Sequence, residues 1–97
     1  MKTYFVSRHS GAVEWAARQN LVVDQLVEHL DASVIQAGDT VIGILPFNLA
    51  AQVCAAGANY LHLVVEVPAE LRGRELSADR LEELGAHLQG FEVRMTP

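Results

Sequence analysis

The chain has 97 residues, of which 51% are hydrophobic, with a net charge of −5 and a single cysteine. This length and composition predict one globular domain over residues 1–97, without room for separate catalytic and substrate domains. The cysteine count excludes an intrachain disulfide, the apolar runs are too short for a membrane span, and the negative charge disfavours binding along duplex nucleic acid. Without a secretory signal, the chain is expected to be cytoplasmic.

Hydrophobic periodicity and turn residues predict four elements in the first half of the chain. In order, these are a strand over residues 3–7, a helix from Ser10 or Gly11 to about Gln19, a short strand over residues 21–23 and a weak helix over residues 24–30. The weak helix rests on the spacing of a few apolar residues that suit burial.

The second half of the chain is predicted to continue the alternation. In order, its elements are a strand over residues 40–45, a helix from Asn48 to Ala56, a strand over residues 60–67, a loop over residues 68–76, a helix capped by Ser77 and closed by Gly90, and a strand over residues 91–95. Strands that alternate with helices favour right-handed crossovers and a mostly parallel sheet. The predicted fold class is therefore α/β, a small Rossmann-like domain of three layers.

Polar and small residues follow two of the predicted strands. The segment from Ser7 to Gly11 follows the first strand, and Pro46, Phe47 and Asn48 follow the central one. If these strands are neighbours, their helices leave on opposite faces and open a crevice at the carboxyl ends of the strands. A helix N-terminus in such a crevice attracts anions, and Arg8 adds a full positive charge. The sequence therefore predicts an anion site there.

Purely structural roles would explain several of the same residues. Ser7, Ser10 and Asn48 are all common helix-capping types, and an ion pair with Glu14 would account for Arg8. The chain also lacks a complete Gly-x-Gly-x-x-Gly motif and a Walker loop, so that a dinucleotide cofactor or ATP is poorly supported. No cofactor is predicted.

The aromatic residues and histidines leave further alternatives open. Trp15 and Phe47 are each either core residues or a stacking surface for a nucleobase. His62 alternates within a predicted strand, which favours a hydrogen-bonded structural histidine over a metal ligand. Neither zinc-ligand spacing nor an acidic cluster suited to magnesium is found in the sequence, so no metal is predicted.

Several short blocks of the sequence resemble a known family. The blocks are residues 4–16 (YFVSRHSGAVEWA), residues 38–43 (GDTVIG), residues 45–46 and 48–51 (LP and NLAA), residues 60–63 (YLHL) and residues 68–73 (PAELRG). Together they resemble the small Csx family number sixteen of type III CRISPR-associated proteins. The resemblance implies a stand-alone relative of the CARF-like, Rossmann-like domains that sense cyclic oligoadenylates. It also implies a ring nuclease that destroys this signal, cyclic tetra-adenylate in particular.

The residues of the predicted crevice suit this reaction. Each 2′-hydroxyl of the ring can attack its adjacent 3′-phosphate, which requires geometry, proton transfer and charge stabilisation but no metal. Arg8 and the first helix would stabilise the charge, His9 would transfer a proton because imidazole titrates near neutral pH, and Ser7 would position the phosphate. The products would be linear oligoadenylates ending in a 2′,3′-cyclic phosphate.

Substrate binding is assigned to the residues around these three. The predicted substrate-binding residues are Ser10, Gly11, Pro46, Phe47, Asn48, Arg72 and Arg74. Gly11 would allow close backbone approach, Asn48 would contact a phosphate or an adenine edge, and the two arginines would reach over the ligand from a loop.

Two other function classes compete with the nuclease. One is a sensor or sponge that binds the same ring without cutting it, and the other is a regulatory module that docks a protein partner. A two-fold homodimer that binds one ring across its interface is expected, because one domain of this size has too little surface to enclose so large a ligand.

Overall fold

Five strands form one sheet in the computed structural model, which describes residues 1–97. The strands are β1 (Thr3–Val6), β2 (Gln25–Val27), β3 (Thr40–Gly43), β4 (Asn59–Val64) and β5 (His87–Phe91), and the α-helices are α1 (Ser10–Arg18), α2 (Phe47–Ala55) and α3 (Ala78–Glu83). The strand order is β2-β1-β3-β4-β5, with β5 antiparallel to β4 and the other pairs parallel. This mostly parallel sheet confirms the predicted small Rossmann-like α/β fold.

The sheet is covered on both faces by separate apolar clusters. Successive side chains of a strand point to opposite faces, so that Tyr4 and Val41 face one way while Phe5 and Ile42 face the other. The first pair packs with residues of α2, and the second packs with α1 and α3. The helices that follow β1 and β3 therefore lie on opposite faces of the sheet.

Close contact between α1 and the start of α3 depends on Gly11. A Cβ atom at this position would lie 1.8 Å from the carbonyl oxygen of Leu76, which no side chain could tolerate. At the other end of α1, the guanidinium of Arg18 donates to Asp79 at 2.6 Å and to Glu82 at 2.9 Å. These two contacts raise the pKa of Arg18 above its usual range. The loop before α3 is thereby held beside the N-terminus of α1.

A buried carboxylate, that of Asp39, connects the amino ends of β1 and β3. It accepts hydrogen bonds from the backbone N–H groups of Gln36 and Lys2, both at 2.9 Å. These bonds, that of Gln36 before that of Lys2, hold the pKa of the Asp39 carboxyl below its usual range. Asp39 thus stabilises the edge of the sheet opposite the predicted crevice.

Two predictions for the region after α1 are wrong. Residues 21–23 do not form a strand, and the weak helix predicted over residues 24–30 is replaced by β2, which pairs in parallel with β1. The spacing of Leu26, Val27 and Leu30 fits a helix, but pairing with the distant β1 decides the conformation. The hydrophobic periodicity of so short a segment cannot predict its pairing with a distant strand.

The C-terminal elements also differ from the prediction. The α3 helix ends at Glu83 and is followed by Gly85 at φ +74°, so that the chain turns five residues before Gly90. The last strand is therefore β5 over His87–Phe91 and not residues 91–95. Ser77 is confirmed as the cap of α3, because its hydroxyl accepts the N–H of Arg80 at 3.1 Å.

Candidate functional site

A cleft of about 340 Å³ opens where the carboxyl ends of β1 and β3 meet. These strands are neighbours, with Val6 paired to Gly43, and their helices leave on opposite faces. A Cβ atom on Gly43 would lie 2.7 Å from the carbonyl oxygen of Val6, so that a residue without a side chain is required at this point. The chain reverses its strand order here, which is where open α/β sheets bind ligands. We call this cleft, with Ser7, Arg8 and His9 on its rim, the Arg8 cleft.

The α1 helix presents an uncapped N-terminus to the Arg8 cleft. Its N-cap is His9, not Ser10 or Gly11 as predicted, and no side chain accepts a bond from its first turn. The first backbone bond of the helix runs from Val13 N–H to the His9 carbonyl at 3.2 Å, so that the N–H groups of Ser10, Gly11 and Ala12 have no partner in the helix. Such donors, with the positive end of the helix dipole, favour an anion.

Arg8 is exposed and forms no ion pair. The structural alternative, a pair with Glu14, does not occur, because Glu14 instead faces Arg18 four residues later at 3.6 Å. The guanidinium of Arg8 is therefore available to an anionic ligand beside the α1 N-terminus. Glu28 also lines the cleft, where its negative charge opposes an anion.

His9 is paired with the carboxylate of Glu75, which lies on the loop before α3. Its Nδ1 lies 2.6 Å from Oε1 of Glu75, and both side chains are more than half exposed, at 57% and 67%. With Glu75 ionised, Nδ1 carries the proton and donates, which leaves Nε2 as the free ring nitrogen. The imidazole is therefore oriented by Glu75 in the way that a catalytic histidine is oriented by an acid.

Ser7 and Ser10 are not helix caps of the usual kind. The Oγ of Ser7 accepts the N–H of His9 at 3.1 Å, which shapes the loop and leaves the hydroxyl proton free to donate. The hydroxyl of Ser10 forms no cap hydrogen bond. Gly11, in contrast, is buried against Leu76, so that helix packing already explains why a glycine is needed there.

The other predicted binding residues are divided among three places. Pro46, as the N-cap of α2, and Asn48, in its first turn, are exposed and do not line the Arg8 cleft. Arg72 donates from Nε to the carbonyl of Val67 at 3.2 Å and lines a separate depression. Arg74 is exposed on the loop that carries Glu75.

The two ambiguous aromatic residues are resolved in opposite ways. Trp15 is 2% exposed and belongs to the core beneath α1, whereas Phe47 is 86% exposed at the start of α2. Phe47 lines a second concavity on the other side of the β3–α2 loop, together with His62. The stacking interpretation therefore survives for Phe47 alone.

Glu75 could not have been found by spacing. It lies 66 residues from His9, and its place depends on the contact of Gly11 with Leu76. No group of three or more His, Cys, Asp or Glu side chains is arranged to hold a metal ion. Among the helices, none combines the length and apolar character needed to cross a membrane.

One family model matches nearly the whole chain. The family is described as "Putative CRISPR-associated protein (Cas_VVA1548)", and the match covers residues 4–94. No curated protein and no solved structure matches the chain. The family match confirms the CRISPR association that the sequence resemblance implies.

Proposed function

The chain belongs to a family of CRISPR-associated proteins, and we propose that it is a metal-independent ring nuclease of type III CRISPR signalling that cleaves cyclic oligoadenylate. The observation that carries this proposal is the arrangement around the Arg8 cleft. An unpaired guanidinium, an uncapped helix N-terminus and an imidazole–carboxylate pair lie together at the carboxyl edge of the sheet. Cyclic tetra-adenylate, which the resemblance to the Csx family implies, is the proposed substrate.

The proposed reaction is an internal phosphoryl transfer. A 2′-hydroxyl oxygen attacks the neighbouring 3′-phosphorus, the bond from phosphorus to the 5′-oxygen breaks, and the products are a 2′,3′-cyclic phosphate and a 5′-hydroxyl. One proton leaves the attacking 2′-hydroxyl and one is delivered to the departing 5′-oxygen, so that atoms balance without water. Such a reaction needs alignment, proton transfer and stabilisation of a charged transition state.

Each need has a candidate residue at the cleft. Arg8 and the free N–H groups of α1 would stabilise the charge on the non-bridging oxygens. His9 would transfer a proton through Nε2, because Glu75 occupies Nδ1. Ser7 would donate its hydroxyl proton to a phosphate oxygen while its Oγ accepts the His9 N–H.

A symmetric homodimer is part of the proposal. A cleft of about 340 Å³ can hold part of a cyclic tetranucleotide but not the whole ring. Two copies related by a two-fold axis would present two Arg8 side chains to opposite phosphates, which concentrates positive charge in a chain of net charge −5. Light scattering with titrated ring tests this, since a monomer that saturates with one ring per chain would contradict it.

The activity is tested by incubating the protein with cyclic tri-, tetra- and hexa-adenylate in EDTA and resolving the products. We expect linear oligoadenylates with a 2′,3′-cyclic phosphate, formed at the same rate with and without the chelator. Activity that disappears in EDTA and returns with magnesium or manganese would contradict the mechanism. Tight binding of a ring that stays intact would instead identify a sponge.

A further inference from the structure

A small apolar concavity lies on the other side of the β3–α2 loop from the Arg8 cleft. Its volume is about 180 Å³, and we call it the aromatic pocket. Its main lining residues are Leu45, Phe47, Tyr60, His62, Phe91 and Val93. None of these side chains is aspartate, glutamate, lysine or arginine, so that the pocket suits an uncharged group and not a phosphate.

Two phenyl rings of the aromatic pocket are left in water. Phe47 is 86% exposed and Phe91 is 51% exposed, although both stand beside buried residues. The imidazole of His62 meets Phe91 edge to face, with ring centroids 5.8 Å apart and an interplanar angle of 87°. Flat rings at an open site are the usual means by which proteins stack nucleobases.

The polar atoms of the aromatic pocket are almost all satisfied within the protein. The Tyr60 hydroxyl accepts the N–H of Leu45 at 3.0 Å and contacts Nδ1 of His62 at 2.5 Å. Burial raises the pKa of Tyr60, which keeps this hydroxyl neutral. Since Nδ1 is engaged, Nε2 of His62 is left as the one ring nitrogen that can bond to a ligand, as donor or acceptor according to the tautomer.

The β3–α2 loop joins the aromatic pocket to the Arg8 cleft. Gly43 and Ile44 line the cleft, and the next residue, Leu45, lines the pocket together with Phe47. The two concavities therefore meet at this loop, although the cleft opens on the face of the sheet that carries α1 and the pocket opens on the face that carries α2. A ligand that places a phosphate at Arg8 therefore has an uncharged aromatic site within reach.

We propose that the aromatic pocket binds a purine base of the ligand, stacked against Phe47 and Phe91, with its edge bonded to Nε2 of His62. This assignment rests on the proposed function for the identity of the base as adenine. The edge of adenine carries both donors and acceptors, which either tautomer of His62 can match. A phosphate is disfavoured because no lysine or arginine lines the pocket, and the apolar side chain of a second copy would not bond to Nε2.

The test uses adenosine, which has the base but no phosphate, with ribose as the matched probe without a base. In a titration followed by NMR, adenosine should shift the ring signals of His62 and the amide signals of Leu45 and Val93, and ribose should shift none. Phe47→Ala should weaken adenosine binding by roughly 5- to 150-fold, the range found for one stacked base, and Phe47→Tyr should restore most of it. Val22→Ala, at a residue 84% exposed, is the control.

The fate of the ring separates this proposal from the proposed function. If adenosine binds in a Phe47-dependent way but no cyclic oligoadenylate is bound or cut, the pocket stands and the nuclease does not. If cyclic tetra-adenylate is cut with an unchanged KM by Phe47→Ala and Phe91→Ala, the pocket assignment is wrong and the nuclease stands. If Phe47→Ala changes the molecular mass by light scattering and adenosine shifts no signal, the pocket is a contact between copies and the proposal fails.

Discussion

The Arg8 cleft and the aromatic pocket meet at the β3–α2 loop but have opposite chemistry. The cleft has polar groups without partners, namely the guanidinium of Arg8 and the first N–H groups of α1. In the pocket the Tyr60 hydroxyl and His62 Nδ1 are bonded to each other, and apolar rings face water instead. Unpaired donors are suited to charge that develops during a reaction, and exposed rings are suited to a base that is bound before and after it.

This contrast leads to a division of kinetic effects. Residues of the Arg8 cleft should change kcat, because they act most strongly on the transition state. Residues of the aromatic pocket should change KM, because stacking is equal in the ground state and the transition state. The comparison would be contradicted if substitutions in the cleft changed mainly KM and substitutions in the pocket changed mainly kcat.

The largest effect is expected for Arg8→Ala. Loss of a charged donor to the phosphate should lower kcat by roughly two to three orders of magnitude, as for loss of an oxyanion-hole donor. Arg8→Lys should recover only part of the rate, because lysine lacks the planar fork. Arg94→Ala is the matched control, since that exposed arginine pairs only with Glu92. Equal rates for Arg8→Ala and the control would make Arg8 a structural residue.

A second large effect is expected for His9→Ala. Removal of the proton-transfer group should lower kcat by roughly a hundredfold and change the shape of the pH–rate profile. The measurement is kcat against pH with saturating ring, and the fold of the variant is checked by its thermal melt. A variant with the wild-type rate and profile would remove His9 as the proton shuttle.

A smaller effect on the same step is expected for Glu75→Gln. The amide oxygen can still accept the proton on Nδ1, but the charge that fixes the imidazole is lost. We expect kcat to fall roughly tenfold with little change in KM, because the histidine is less well positioned. Glu83→Gln is the control, since Glu83 is an exposed carboxylate that contacts only Arg80. A change in KM alone would place Glu75 in ring binding instead of positioning.

Glu75 is an example of a site residue that the sequence alone does not predict. The β1–α1 loop, the neighbouring β3–α2 loop and their opposite helices follow from local patterns and from the handedness of strand–helix–strand units. The pairing of His9 with Glu75 depends on packing between α1 and α3, and the pairing of His62 with Tyr60 depends on which face of β4 is covered by α2. Such contacts depend on tertiary packing, and the hydrophobic periodicity of the sequence gives no information about it.

The errors in the predicted secondary structure also arise from tertiary contacts. The segment 24–30 has helical spacing, yet β2 forms there because β1 offers an unpaired edge. The α3 helix ends early because Gly85 adopts a positive φ and β5 pairs with β4. The early end of α3 does not affect the Arg8 cleft, whose β1 and β3 walls lie inside the sheet, but the first error does, because Glu28 follows β2 and lines the cleft.

The smallest effect on activity is expected for Asp39→Asn, which acts at the edge of the sheet opposite the Arg8 cleft and does not line the aromatic pocket. The folded state lowers the pKa of this carboxyl through the bonds from Gln36 and Lys2, so that ionised Asp39 stabilises the fold above the unfolded pKa of about 4. This contribution is lost as the pH falls through the lower pKa of the folded state. Asp39→Asn should therefore lower Tm by about 5 °C at pH 7, and the difference from wild type should shrink below about pH 4.

Thermal melts at pH 7, 5 and 3 measure this difference, with Glu70→Gln, a change at an exposed carboxylate, as the control. Below the melting temperature, kcat and KM of Asp39→Asn should equal those of the wild type, because Asp39 touches neither the Arg8 cleft nor the aromatic pocket. A loss of Tm that is the same at pH 7 and pH 3 would show that shape and not charge matters at this position. A changed kcat with an unchanged Tm would contradict this prediction, because it would show that Asp39 affects the reaction and not the stability of the fold.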